Sequence, residues 1–164
     1  MTQQVEALAV DPGVSATDVF PALCPPITSR QVGLAALPSA VPWARRVLGH
    51  MLREWHLPDL ADPALLLVSE LVTNAVQASA RRVCGDPDRL PMISLTVRTT
   101  GTSLVTEVWD PSPDVPALQE ADLTGDRGRG LLLVDFLADE WGHRPADGGK
   151  VVWCTVAIPR RPED

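Results

Sequence analysis

One stretch, Leu65 to Ser79 (LLLVSELVTNAVQAS), leaves few options for the fold around it. Asp62 and Pro63 before it read as a helix start, since Asp can cap free N–H groups and Pro suits the first helical position. The body is almost wholly apolar. Its polar exceptions, Glu70, Asn74 and Gln77, recur at helical spacing and share a narrow face, with Ser69 and Thr73 beside them. A surface helix has a broad polar face and an apolar stripe; this one has a polar stripe on a buried body, and the helix is expected to run to about Arg82. A carboxylate in such surroundings is costly unless something answers it. Either Glu70 and Asn74 are hydrogen-bonded polar groups at a helix edge, or they face a metal, water or ligand.

The other elements must cover that helix. Arg30 to Leu37 can form a strand. Pro38 and Ser39 end it and open a helix with Val41, Ala44, Leu48, Met51, Leu52 and Trp55 on one face and Arg45, Arg46, Arg53 and Glu54 on the other. His50 and His56 read as solvent-facing or capping residues. Pro58 breaks the chain, and residues 83–91 form a turn or loop. Met92 to Thr99 alternates, with Ile93, Leu95 and Val97 on one side, which marks a half-buried strand. A turn at residues 100–102 leads to a second strand, Leu104 to Asp110, completing a hairpin. Leu104, Thr106, Val108 and Asp110 share a face, so Asp110 is either a turn initiator before Pro111 or a ligand-reading group.

Residues 111–127 form a long connection of the kind that is usually functional or mobile. Gly128 and Gly130 then lead into a buried helix, Leu131 to Ala138. Glycines before a helix start admit a phosphate to the free N–H groups, although a plain loop–helix junction reads the same way. Neither a dinucleotide fingerprint nor a Walker A sequence is present. His143 follows in an exposed segment. Residues 147–149 form a turn, and Lys150 to Ile158 is a last, central strand.

Bulk properties narrow the function. A net charge of −7 with scattered Arg argues against binding nucleic acid. Cys24, Cys84 and Cys154 are odd in number and far apart, suggesting neither a zinc site nor a disulfide framework, and reduced thiols fit a cytoplasmic location. No signal peptide or membrane span is read. The expected organisation is an irregular or disordered arm (1–29), one domain (30–160) and a charged tail (161–164).

Three features stand in order: the Glu70/Asn74 helix, a strand ending in Asp110, and a glycine-flanked helix start after a long loop. In this arrangement the sequence resembles the ATP-binding domain of the histidine kinase, gyrase, Hsp90 and MutL superfamily (the Bergerat fold), and within it the small anti-sigma-factor serine kinases and their actinobacterial relatives. Glu70 to Val76 (ELVTNAV) matches the first motif, Val108 to Ser112 (VWDPS) the second, and Gly128 to Val134 (GRGLLLV) the third. Trp141 and Gly142, and the strand from Gly149 to Trp153, also fit.

The resemblance implies an α+β fold: a two-layer α/β sandwich with a mixed, mostly antiparallel sheet and helices on one face. It implies ATP and Mg²⁺ as cofactors. Asn74 would hold the metal and Asp110, with Ser112, would read adenine. Gly128, Arg129, Gly130 and Leu131 would close on the phosphates, and Glu70 would be the general base. The implied activity is a serine/threonine-protein kinase acting as an anti-sigma, partner-switching regulator. Its phosphoryl acceptor would be a serine on an anti-anti-sigma-like antagonist, with a sigma factor as a further partner and homodimers common among relatives. The alternative is an ATP-dependent interaction module without phosphoryl transfer. Three positions depart from the pattern: Ser112 stands where glycine is usual, Ala78 where a basic or aromatic residue is frequent, and Val151 and Val152 at the place of a threonine that supports the adenine-reading Asp, with Thr155 a substitute candidate.

Overall fold

The computed structural model describes residues 27–81, 90–114 and 129–159. In chain order these form β1 (Ser29–Ala35), α1 (Ala40–Glu54), a 3₁₀ turn (Pro58–Leu60), α2 (Ala61–Ala80), β2 (Met92–Thr99), β3 (Ser103–Asp110), α3 (Arg129–Leu137), β4 (Glu140–Ala146) and β5 (Gly149–Ala157). The five strands make one sheet in the order β1-β2-β3-β5-β4. Every pairing among them is antiparallel, so the expected mixed sheet is wholly antiparallel over the described residues.

Period-2 alternation divides the sheet into two faces. Ile93, Leu95 and Val97 of β2, Leu104 and Val108 of β3, and Val152 and Cys154 of β5 are buried on the inner face. They join Leu67, Val68, Leu71, Val72 and Ala75 of α2, and Leu48 and Leu52 of α1, in one core. The helix α2 packs on β2, β3 and β5 and carries α1 and α3 on its flanks, giving two layers with helices on one face of the sheet.

Local chemistry sets the boundaries. The last turn of α1 closes with His56 at φ 57°. Leu57 N–H reaches back to the Leu52 carbonyl at 2.8 Å and His56 N–H to the Arg53 carbonyl at 3.2 Å, a Schellman cap with histidine in place of the usual glycine. Asp62 does not cap α2: the helix begins at Ala61, fed by a 3₁₀ turn with Pro58 at its start, and Asp62 lies in the first turn, where its charge favours the helix dipole. Arg45 ties α1 to α2 by donating to the Leu65 carbonyl at 2.9 Å and to Ser69 Oγ at 2.8 Å.

The sequence reading contains no fourth strand before β5. The segment Glu140–Ala146 carries Gly142, His143 and Pro145 and shows no alternation, yet it pairs with β5 along its whole length. It is an edge strand, where proline is tolerated. His143 is exposed there, as expected. Most of the 1–29 arm, most of the 83–91 loop, the greater part of the 111–127 connection with Gly128, and the 161–164 tail lie outside the described residues.

Candidate functional site

The helix α2 brings Glu70 and Asn74 to one side, one turn apart, both half-buried. Their neighbours Leu71, Ala75 and Ala78 are buried. Gln77, the third member of the stripe, is exposed, so the stripe runs from the interior outward. Ser69 is used structurally: its Oγ donates to the Leu65 carbonyl at 2.6 Å and accepts from Arg45. Asn74 is not so used. Its Nδ2 is buried and has no hydrogen-bond partner, a condition that costs free energy unless a ligand or water completes it. Burial pushes the Glu70 carboxyl above its usual range, and a carboxylate raised toward neutrality suits proton acceptance.

The strand β3 delivers Asp110 to the end of the inner face, where it is fully buried. Oδ1 accepts two hydrogen bonds, from Lys150 Nζ at 2.9 Å and from the Ser112 N–H at 2.9 Å. Oδ2 is buried and accepts none. Burial pushes the carboxyl up, while Lys150 and the Ser112 N–H pull it back down; with an ammonium at 2.9 Å we take the carboxylate as ionised at neutral pH. Asp110 therefore starts a turn, through Ser112, and keeps one oxygen without a partner.

Ser112 stands where the resemblance expects glycine, and it is wholly buried. Its backbone N–H holds Asp110 and its carbonyl accepts from Lys150 at 3.2 Å, while its side-chain Oγ accepts from the Asp114 N–H at 3.3 Å.

Thr155 is not the missing supporter of Asp110. It lies opposite Val105, well along the strand from Asp110, and its hydroxyl donates to the Glu140 carbonyl at 3.4 Å. Neither Val151 nor Val152 pairs with Asp110; Lys150 does, directly across the ladder. Lys150 is the residue that the sequence reading passed over. A signal was available, since Lys150 is in phase with Val152 and Cys154 and so must point to the core side of β5.

Of the third motif, Arg129 and Gly130 open α3, Leu131 is half-buried in its first turn, and Gly128 lies outside the described residues. Below them Val134 anchors α3 in the core, and the Trp141 indole N–H donates to Asp135 Oδ1 at 2.9 Å, fixing the helix to β4. On the opposite, outer face of the sheet a recess of about 580 Å³ is lined by Arg98, Glu107, Arg144 and Trp153 among others. Thr155 lines it, but Glu70, Asn74, Asp110, Ser112 and Lys150 do not, and it belongs to a different surface.

Among the described residues no three His, Cys, Asp or Glu side chains converge as a metal cage. A cation held here by protein oxygen would be held through the Asn74 amide, which suits a magnesium ion whose other ligands are phosphates and waters. Burial pushes the Cys154 thiol up to about 12, which leaves it an inert core residue. No helix among the described residues is long and apolar enough to cross a membrane.

The profile of the histidine kinase-like ATPase domain matches residues 34–156. Among solved structures, the chain is similar to the crystal structure of the RsbU and RsbW domains of Rv1364c from Mycobacterium tuberculosis, at 20% identity and a TM-score of 0.54. That likeness covers 83% of this chain and 34% of the other, so this chain spans about a third of the protein it resembles. No match was found among curated proteins.

Proposed function

Because the chain belongs to the histidine kinase-like ATPase family over residues 34–156, we propose that it is an ATP-binding regulator of the anti-sigma type, transferring the γ-phosphoryl group to a serine of an antagonist protein. One observation carries the nucleotide reading. Two buried polar atoms, Asn74 Nδ2 and Asp110 Oδ2, are left without partners on two elements that pack against each other. Structural polar groups in a core are ordinarily satisfied. Here an acceptor, Asp110 Oδ2, lacks a partner at the position that the family motifs reserve for the base, and a donor, Asn74 Nδ2, lacks an acceptor such as a water or phosphate oxygen on the residue whose Oδ1 would hold the metal.

In this reading Asp110 Oδ2 accepts from the adenine amino group and Asn74 holds Mg²⁺. Arg129, Gly130 and Leu131 lie at a helix start suited to phosphate, with Gly128 before them. Bound magnesium would neutralise charge on the phosphates. Glu70 takes the proton of the attacking serine hydroxyl, and its raised affinity for protons supports that role. The protein partners are an anti-anti-sigma-like antagonist and a sigma factor, and the location is the cytoplasm.

Calorimetry with Mg-ATP tests the first half: the parent chain binds and Asn74→Ala does not. Absence of heat with the parent chain ends the nucleotide reading. Radiolabel transfer to proteins captured in the presence of ATP tests the second half. Glu70→Ala should bind ATP and transfer nothing; a parent chain that captures partners in an ATP-dependent way without labelling them is instead an interaction module gated by nucleotide.

A further inference from the structure

Lys150 is a buried cation that the motif reading leaves without a role. Its side chain is 4% exposed and its partner Asp110 is 0% exposed. An ammonium in such a place is held only by good acceptors. It has two: Asp110 Oδ1 at 2.9 Å and the Ser112 carbonyl at 3.2 Å. An ammonium carries three hydrogens and accepts nothing, so one hydrogen has no acceptor among the described residues. The carboxylate is lopsided in the same way, with Oδ1 accepting twice and Oδ2 not at all.

A purely structural ion pair would be closed on both sides. This one is satisfied at the Ser112 turn and leaves one buried acceptor and one donor, on neighbouring side chains, without partners among the described residues. Its complement is an edge that presents an N–H donor beside a bare ring nitrogen. Adenine presents that edge with its 6-amino group and N1. Guanine and hypoxanthine carry an oxygen at position 6, which would face the unprotonated Oδ2.

We propose that Lys150 is a base-specificity residue, holding Asp110 by Oδ1 so that Oδ2 meets the amino group of adenine, and donating its remaining hydrogen to adenine N1. This rests on the nucleotide reading above and adds a second contact to the base. The register supplies the reason that lysine can serve: Lys150 lies directly opposite Asp110 on the inner face, so the two side chains meet across the ladder without leaving their strands.

The test is a cycle between a side chain and a ligand atom, which a merely structural role of Lys150 would not move. The full chain and Lys150→Met are titrated with Mg²⁺ and ATP, or with 1-deaza-ATP, which lacks N1 and keeps the amino group. The parent chain should bind 1-deaza-ATP at least about tenfold more weakly than ATP, the scale of a lost hydrogen bond to a charged donor. In Lys150→Met both ligands weaken and the ratio falls to about one. Purine riboside triphosphate, which lacks the amino group, should bind more weakly than ATP to both proteins, because Asp110 remains. If Lys150→Met does not fold, Asp110→Asn/Lys150→Met, which removes both charges together, is read for the same collapse of the 1-deaza ratio. ATP binding with an unchanged ratio in the variant overturns the Lys150 proposal alone. Failure of the parent chain to bind ATP overturns the nucleotide reading and this proposal with it.

Discussion

Gly149 and Gly148 are adjacent and demand glycine for different reasons, so they separate two physical effects cleanly. Gly148 sits in the β4–β5 turn at φ +70°, and a Cβ there would meet nothing within 4 Å. The penalty for Gly148→Ala is conformational, about 1–2 kcal/mol. Gly149 has no such strain, but a Cβ there would lie 1.9 Å from the Asp110 carbonyl oxygen and 2.8 Å from Pro111 Cα. Both obstacles are backbone and cannot rotate away. Restoring an ordinary contact requires β3 and β5 to part by roughly 1.5 Å. That shift breaks ladder bonds worth about 1 kcal/mol each, adds overpacking of about 1–3 kcal/mol, and pulls Lys150 from Asp110 at the adjoining register position. Gly149→Ala should therefore lose about 3 kcal/mol or more, while a domain of ordinary stability, about 5–15 kcal/mol, stays folded. In urea unfolding at a slope of about 2 kcal/mol per molar, the midpoint drops by about 1.5 M, against about 0.5–1 M for Gly148→Ala. Nucleotide affinity should fall in Gly149→Ala and hold in Gly148→Ala. A Gly149→Ala midpoint no lower than that of Gly148→Ala would refute the steric argument and with it the claim that this glycine sets the approach of β5 to Asp110.

Glu70→Gln tests the buried carboxyl. Burial raises its folded-state pKa above 4.5, so the stability it contributes is fully present below that value and is lost as pH rises through the raised one; the variant should melt higher than the parent at pH 7 without nucleotide, the difference shrinking toward zero near pH 4, and an equal difference at both pH values would remove desolvation as the cause. Asn74→Ala breaks no hydrogen bond of Nδ2, so thermal unfolding without ligand should move by no more than about 1 kcal/mol, while the stabilisation produced by Mg-ATP in the parent chain should vanish. The Cys154 thiol, pushed up to about 12, should escape iodoacetamide in the native protein at pH 8 and react in urea, as read by mass spectrometry of its peptide; native labelling would show that β5 opens on the timescale of the reaction.

The elements that the sequence reading placed well are those in which one period dominates. Met92 to Thr99 alternates without interruption, and its bounds are those of β2. The apolar face of α1, from Ala44 to Trp55, is the face that packs. Where end chemistry competes with period, bounds slip: Asp62 and Pro63 look like a cap, but a 3₁₀ turn opened by Pro58 already delivers the chain into helical geometry. β4 left no local trace, because an edge strand is stabilised by the ladder bonds of its neighbour and needs no alternation of its own. The site shows the same division. Glu70, Asn74 and Asp110 could be read because each is a polar exception in an apolar period. Lys150 could have been read by that criterion too, since in the run from Lys150 to Val156 it is the one charge on the inward parity. Residue type alone, the threonine of relatives, points instead to Val151, Val152 and Thr155. Strand parity asks which side chain faces Asp110 whatever its type, and across an antiparallel ladder that question has one answer, Lys150. A motif names the chemistry that must be present at a site; the register decides which residue is in position to supply it.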